Sequence, residues 1–219
     1  MYILQVDHLE VHNMVRRVVN NRKLICMGIA LILAAIVTAG LFRELRIAGL
    51  QKKMAEEVFR FHVLANSDSE EDQALKMKVK ERVISYMHAE LPDSKSVEMT
   101  ENWARLHLEE IEQVAIATLE QEGCEDAVTV EVTNCYFPDK TYGDVTFPKG
   151  YYDALRIKIG EAKGKNWWCV LFPNLCFVDS IHAVVPEEGK KELKEVLDEE
   201  EYEMVTATSK FQVKWFFFG

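Results

Sequence analysis

Two patterns of apolar and polar positions divide the chain. Residues 24–42 form a run of nineteen positions without a charged side chain. From residue 58 onward, short segments alternate apolar and polar side chains, and longer segments repeat apolar side chains every three to four positions. Alternation predicts strands, and the longer spacing predicts helices. We therefore expect a membrane-type helix followed by a folded body of strands and helices.

The body reads as an α+β fold. Runs of strands joined by short turns favour one mainly antiparallel sheet with helices packed on one face, preceded by the N-terminal transmembrane or signal helix. Strands are predicted at 58–65, 127–136, 144–147, 152–160, 166–172, 175–179 and 211–218, and helices at 70–90, 100–122 and 187–201.

The apolar run at 24–42 predicts export of everything that follows it. As a helix it spans roughly 28 Å, which matches the hydrocarbon core of a bilayer. Basic side chains lie mostly on its N-terminal side, at Arg16, Arg17, Arg22 and Lys23. By the positive-inside rule, residues 1–23 form a cytoplasmic leader. Residues 43–57 then form a connector, and residues 58–219 form one exported domain.

The sequence leaves open whether the apolar helix is removed. Val37, Thr38 and Ala39 precede Gly40 and provide the small residues of a cleavage site. The long leader and the apolar Phe42 favour a retained anchor instead. In either case the body lies outside the cytoplasm.

The charge distribution excludes one class of partner. The net charge is −10, with seven basic and three acidic residues in 1–52, so that this part carries +4 and the remainder −14. A basic leader on an acidic body is typical of a translocated protein. Binding to DNA or RNA is not expected, since no basic stripe is present to neutralise phosphates.

A polar strand-to-helix corner follows the first strand of the body. Asn66, Ser67 and Asp68 interrupt that strand, because their side chains hydrogen-bond to nearby backbone and favour turns. Ser69 with Asp72 three positions later resembles a capping box, with Asp in place of Glu or Gln. Acidic residues in the first helical turn also suit the helix dipole.

Four cysteines lie in the exported part, where disulfides are permitted. Cys169 and Cys176 flank a turn and could be bridged, with a stabilisation of about 2–3 kcal/mol. Free buried thiols are the equally supported alternative. A zinc site is not expected, because no C-x-x-C pair occurs.

Catalysis is not expected. His62 lies close in sequence to Asp68, Asp72 and two serines, so that a Ser/His/Asp site is conceivable, but helix capping already accounts for the acids. Neither G-x-S-x-G nor H-E-x-x-H occurs, and residues 160–165 lack the spacing of a phosphate loop. Trp167 and Trp168 point to opposite faces of their strand, where they serve either as core or as a binding anchor.

Two stretches identify a family. FRFHVLANSDSEEDQALKMKV at 59–79 and CYFPDKTYGDVTFPKGYYDALRIKIGEAKGKNWWCVLFPNLCFVD at 135–179 strongly resemble the stage II sporulation protein R family of endospore-forming bacteria. The likeness covers residues 55–185 and rests on LANSD, FP-x-K-TYG and G-x-x-KG-x-NWWCV-x-FP-x-LC in this order. The N-terminal extension and the aromatic C-terminus are less typical of the family.

The resemblance implies a signal and no enzyme. Such proteins are exported from the forespore into the space between the forespore and mother-cell membranes. There they trigger a membrane-embedded aspartic protease of the mother cell, which processes the precursor of the mother-cell sigma factor. We expect no cofactor, metal or small-molecule substrate. The alternative is an exported cell-wall-active hydrolase or a wall-binding module.

The most family-like segments supply candidate contacts with the protease. These polar or aromatic residues are Asn66, Ser67, Asp68, Asp72, Asn166 and Trp167. The competing interpretation is that the corner residues only shape the turn.

Overall fold

The computed structural model describes residues 8–91, 94–176, 185 and 187–206. The chain divides into two compact units between Gly49 and Leu50. The elements are α1 (His8–Glu57), β1 (Phe59–Leu64), α2 (Glu70–Glu90), α3 (Val97–Leu106), α4 (Leu108–Gln121), β2 (Val128–Phe137), β3 (Lys140–Tyr142), β4 (Val145–Phe147), β5 (Gly150–Ile159), β6 (Asn166–Phe172) and α5 (Glu187–Val196). Residues 199–206 form a further helix, α6.

In the first unit, α1 carries the apolar run. Its apolar side chains are exposed, among them Leu31, Ile36 and Phe42. Asn21–Glu57 is long and apolar enough to cross a membrane. The predicted N-terminal apolar helix is therefore confirmed, and it suits a signal or a membrane anchor.

The second unit is built on a four-stranded sheet in the order β2-β5-β1-β6. β1 runs parallel to β5 and antiparallel to β6, and β2 runs antiparallel to β5. The parallel pairing is possible because α2, α3, α4 and β2 intervene between β1 and β5 and give the chain room to cross over. The predicted α+β class with a mainly antiparallel sheet is confirmed.

Both faces of the sheet are covered. Phe59, Phe61 and Val63 of β1 belong to the core under α2 and α4, while Arg60 and His62 lie on the opposite face. That second face packs against β3 and β4, residues 50–58, α5 and α6. Helices therefore cover a second face in addition to the expected one. Central β1 is buried on both sides, as a strand between two layers must be.

Three local predictions differ from the structure. The single helix predicted at 100–122 is two helices that meet at His107, whose ring stacks on Trp103 with centroids 4.3 Å apart. Residues 43–57, predicted as a connector, are helical as part of α1, and Met54 is completely buried. The helix predicted at 187–201 stops at Val196, and α6 begins after Asp198.

Two predicted strands fall largely outside the described residues. Of the strand predicted at 175–179, Leu175 and Cys176 are described and are not in a strand. The rest of that predicted strand, and all of the strand predicted at 211–218, lie outside the described residues.

Candidate functional site

The strand-to-helix corner is built from a confirmed cap. β1 ends at Leu64, and Ser69 is the N-cap of α2, its hydroxyl accepting the Asp72 N–H at 3.1 Å. The reciprocal half of the predicted capping box is different, because the Ser69 N–H donates to the Ser67 hydroxyl at 3.1 Å. The Asp72 carboxylate is therefore free to accept hydrogen bonds from residues that precede Ser69.

The Asp72 carboxylate accepts hydrogen bonds from two other side chains of the corner. Its Oδ2 accepts from the Ser67 hydroxyl at 2.5 Å and from the Asn66 amide at 3.2 Å. The hydrogen bond from Ser67 is the main reason why the pKa of Asp72 lies below its usual value. The carboxylate thus stays ionised and holds the turn together.

The β5–β6 hairpin loop, which is distant in sequence, is hydrogen-bonded to this corner. The Asn66 carbonyl oxygen Oδ1 accepts the Glu161 N–H at 2.9 Å, and Asp68 Oδ1 accepts the Lys165 N–H at 2.6 Å. Backbone pairs add to this, including the Gly164 N–H donating to the Ala65 carbonyl at 2.9 Å. The β5–β6 loop, which the sequence reads only as a tight turn, is therefore half of the site.

Glycine permits this close approach. A Cβ at Gly164 would lie 2.0 Å from the Ser67 carbonyl oxygen, which is backbone and cannot rotate away. At Gly160, which has φ +55°, a Cβ would lie 2.3 Å from the Asn66 side chain. The two segments can interlock only because both positions lack a side chain.

Lys76 closes the inner side of the same corner. It is 5% exposed, and its ammonium donates to Gln73 Oε1 at 2.6 Å and to the Lys165 carbonyl at 2.9 Å. Burial lowers its pKa from the usual value. A buried lysine that binds backbone of the hairpin loop is a positioning element of the site.

The structure brings the predicted contact residues together, with most of their polar atoms turned inward. Asn66, Ser67 and Asp72 are half-buried and hydrogen-bonded to one another. Asp68 is exposed, with one carboxylate oxygen bonded to the Lys165 N–H. Asn166 is also exposed and begins β6. Of the predicted contact residues, Asp68 and Asn166 are therefore the exposed ones.

Trp167 and Trp168 pack on opposite faces of the sheet. Trp167 is half-buried beside Phe61, with ring centroids 5.6 Å apart, and Lys80 Nζ lies 5.2 Å from its ring. Trp168 stacks on His62 at 3.7 Å on the opposite face. Both rings are thus packed, and Trp167 remains partly exposed next to the Lys80 ammonium.

Two buried polar residues on β1 were not recognised from sequence. Arg60 is fully buried among aromatic rings, 4.4 Å from the Phe137 centroid, and donates to the Cys169 carbonyl and to the Tyr142 hydroxyl, both at 3.0 Å. The two-residue spacing of Arg60 and His62 indicates that they share one face of the strand, but it does not show that this face is covered. The cover that buries them comes from distant segments.

His62 is unsuited to acid–base chemistry. It is 5% exposed, and neither ring nitrogen makes a hydrogen bond with another described residue. Burial, with a smaller contribution from the charge of Arg156, lowers its pKa to about 4, although nearby Asn166 offsets part of this. The acids of the corner bind other groups, since Asp72 accepts from Asn66 and Ser67 and Asp68 accepts the Lys165 N–H. Within the described ranges, no cluster of His, Cys, Asp or Glu could hold a metal ion.

A carboxylate pair joins the end of α1 to α6. Lys53 Nζ lies 2.6 Å from Asp198 Oδ2 and 3.6 Å from Glu201 Oε1. Burial, followed by the hydrogen bond with Glu201, raises the pKa of Glu57 to about 7. The Glu57 carboxyl therefore keeps its proton up to about neutral pH, and the Lys53 ammonium lies among the neighbouring acids.

Cys169 and Cys176 form a disulfide in the structure, with their Cα atoms 5.5 Å apart. It fixes the chain after β6 beside a groove of about 580 Å³ between α2, the 173–174 turn and α5. The acids on the rim of this groove have other partners. Glu192 accepts the Asn174 N–H at 3.2 Å, and Glu195 lies 3.9 Å from Lys191. Among the described residues that line the groove, Glu192 and Glu195 thus each have a neighbouring donor.

Comparison with known proteins gives a consistent result. A family profile described as Stage II sporulation protein R (spore_II_R) matches residues 55–182. The Stage II sporulation protein R of Bacillus subtilis (strain 168) is 39% identical over 153 residues, which cover 69% of this chain and 68% of that protein. No solved structure matches the chain.

Proposed function

Because this chain belongs to the stage II sporulation protein R family, we propose that it is an exported signalling protein of sporulation. It acts between the forespore and mother-cell membranes, where it triggers a membrane-embedded aspartic protease of the mother cell to process the mother-cell sigma factor precursor. The observation that carries the proposal is the family match over residues 55–182, which make up most of the folded body.

The N-terminal segment supports export. The exposed apolar helix follows a basic cluster, so that the acidic body emerges on the far side of the membrane. Residues 53–219, which carry a charge of −14, do not bind the anionic membrane surface through bulk charge. The protein then reaches its receptor from the intermembrane side.

The buried state of His62 supports a binding role over the hydrolase alternative. A general base must reach a substrate proton, and this ring is enclosed by Trp168 and Phe137. A ligand needs only a stable surface. Docking activates the protease if the surface binds its active form more tightly than its inactive form.

The contact surface that we propose includes the corner and the start of β6. Asp68 and Asn166 supply exposed polar groups, and Trp167 with Lys80 supplies a partly open aromatic edge. Asn66, Ser67 and Asp72 act by holding these groups in place. The interlocked glycines keep the surface rigid, so that little ordering entropy is lost on binding.

Matched variants separate contact from folding. Asp68→Asn keeps an oxygen that can accept the Lys165 N–H and removes only the charge, whereas Asp68→Ala removes both. Trp167→Phe keeps a ring against Phe61, whereas Trp167→Ala opens a gap. If these residues contact the receptor, Asp68→Asn lowers signalling without changing the melting temperature.

The test is co-expression of the full chain with the candidate protease and the sigma precursor, scored by precursor cleavage. We expect cleavage only when the full chain is present, and normal cleavage by His62→Phe. If the Asp68→Asn and Trp167→Ala variants each fold stably and still support precursor cleavage at the normal rate, the contact assignment is rejected. Sedimentation with purified peptidoglycan, in the absence of the protease, would favour the wall-binding alternative.

A further inference from the structure

β2 is an edge strand of the main sheet. The Gly160 N–H donates to the Ala127 carbonyl, and the register then pairs residues 128–137 one by one with 159–150. In an antiparallel ladder, hydrogen-bonded and non-hydrogen-bonded pairs alternate. The N–H and C=O groups of Val128, Val130, Val132, Asn134 and Tyr136 therefore point away from β5, toward the open side of the sheet.

The helices cover the first part of this edge. The Val130 N–H donates to Glu112 Oε2 at 3.3 Å, and Arg105 donates to the Val132 carbonyl at 3.5 Å. Side chains from α4 and α3 thus occupy the outward N–H of Val130 and the outward carbonyl of Val132. Such blocking is a common way of protecting an edge strand from pairing with another chain.

The protection stops after Val132. In the part of the chain that the structure describes, the outward backbone groups of Asn134 and Tyr136 have no hydrogen-bond partner. Beside them, Tyr136 and Tyr151 form an edge-to-face pair with centroids 5.7 Å apart, and the two residues are 49% and 67% exposed. An unpaired stretch of edge thus lies next to an exposed aromatic pair.

We propose that the edge at Asn134–Phe137 receives an extended segment of the membrane protein that this chain activates. This inference rests on the proposed function and adds to it a place and a mode of binding. The free groups alternate donor and acceptor at the spacing of a strand, which a peptide backbone matches. The tyrosine pair offers a surface for one apolar or aromatic side chain of that segment.

Charge and length disfavour a second copy of this chain as the occupant. Residues 53–219 carry a charge of −14, so that two copies repel each other, which favours a neutral or basic segment as the occupant. After Val132, only Asn134 and Tyr136 of the described strand offer outward backbone groups, and a self-paired stretch this short buries far less than the roughly 1,200 Å² of a stable interface. The segment therefore docks as one part of a larger contact with the receptor.

Proline at Asn134 tests the proposal. The Asn134 N–H points outward, so that Asn134→Pro removes a donor needed by the incoming segment and none used by β5. The matched control is Asn134→Ala, since both variants lose the hydrogen bond to Asp153 and the control keeps its N–H. We expect precursor cleavage at least tenfold slower with the proline variant and near normal with the alanine variant, at equal circular dichroism. Equal cleavage by both variants would overturn the proposal.

Amide hydrogen exchange on the wild-type protein is a second test of the edge proposal, and it does not depend on the folding of any variant. The full chain is compared with and without the detergent-solubilised protease. We expect the Asn134 and Tyr136 amides to exchange freely alone and at least tenfold more slowly in the complex. Binding and cleavage without this protection would overturn the edge proposal and leave the proposed function standing. Absence of both binding and cleavage would overturn both. Protection that grows with protein concentration in the absence of the protease would identify a second copy as the occupant.

Discussion

Protonation of His62 should destabilise the folded body at acidic pH. Burial lowers the pKa of this ring from 6.5 to about 4, so that between these values the unfolded chain binds a proton that the folded chain does not. Stability rises with pH wherever the unfolded state binds more protons. The contribution of His62 is therefore fully present above pH 6.5 and is lost as the pH falls toward 4.

The size of the effect follows from the two pKa values. Their difference corresponds to roughly 3 kcal/mol of unfolding free energy. His62→Phe removes the titrating group and keeps a ring against Trp168, which stacks on His62 at 3.7 Å. The gain in stability of the variant over the wild type should therefore grow by roughly 3 kcal/mol between about pH 7 and about pH 4.

Urea unfolding of the full chain in detergent, followed by tryptophan fluorescence, measures this difference. The comparison must be made at each pH, because Glu57 acts in the opposite direction in the same window. Burial and Glu201 raise its pKa from 4.5 to about 7, so that its contribution falls as the pH rises between these values. Glu57 is common to both proteins and cancels in the difference. A difference that does not change with pH would refute the assignment of His62 as a buried neutral ring.

Three further changes test the packing. Glu57→Gln should raise the unfolding free energy above about pH 7 and leave it unchanged near pH 4.5, because glutamine imitates the protonated acid; equal effects at both values would contradict the raised pKa of Glu57. Gly164→Ala should lower the melting temperature strongly, since its Cβ would meet the Ser67 carbonyl at 2.0 Å, whereas the control Gly150→Ala, at 3.6 Å from the nearest atom, should be nearly neutral. Replacing Cys169 and Cys176 by serine should lower the unfolding free energy by about 2–3 kcal/mol, and a reductant should then destabilise only the wild type.

Local features of this fold could be predicted from the sequence. The Ser69 cap and the bounds of α2 follow from short-range rules, because a capping hydroxyl and its N–H lie three residues apart. The alternation of Arg60 and His62 likewise placed both on one face of β1. Each of these signals depends on residues within one or two turns of each other.

Long-range features could not be predicted in the same way. The loop at 160–165 locks onto Asn66 across ninety-five positions, and no pattern near either segment reveals the partner. The burial of Arg60 and His62 could not be predicted locally, because the segments that bury them, including Phe137 and Trp168, are distant in sequence. The break at His107 was hidden because the apolar spacing continues across it.

The most direct test of the central claim is reconstitution of the signal. The full chain, the membrane-embedded aspartic protease and the sigma precursor are co-expressed, and the precursor is followed by immunoblotting with and without the chain. The account predicts cleavage that requires both the chain and an intact protease. Cleavage at the same rate without the chain, or none with it when both partners are folded and membrane-inserted, would contradict the account.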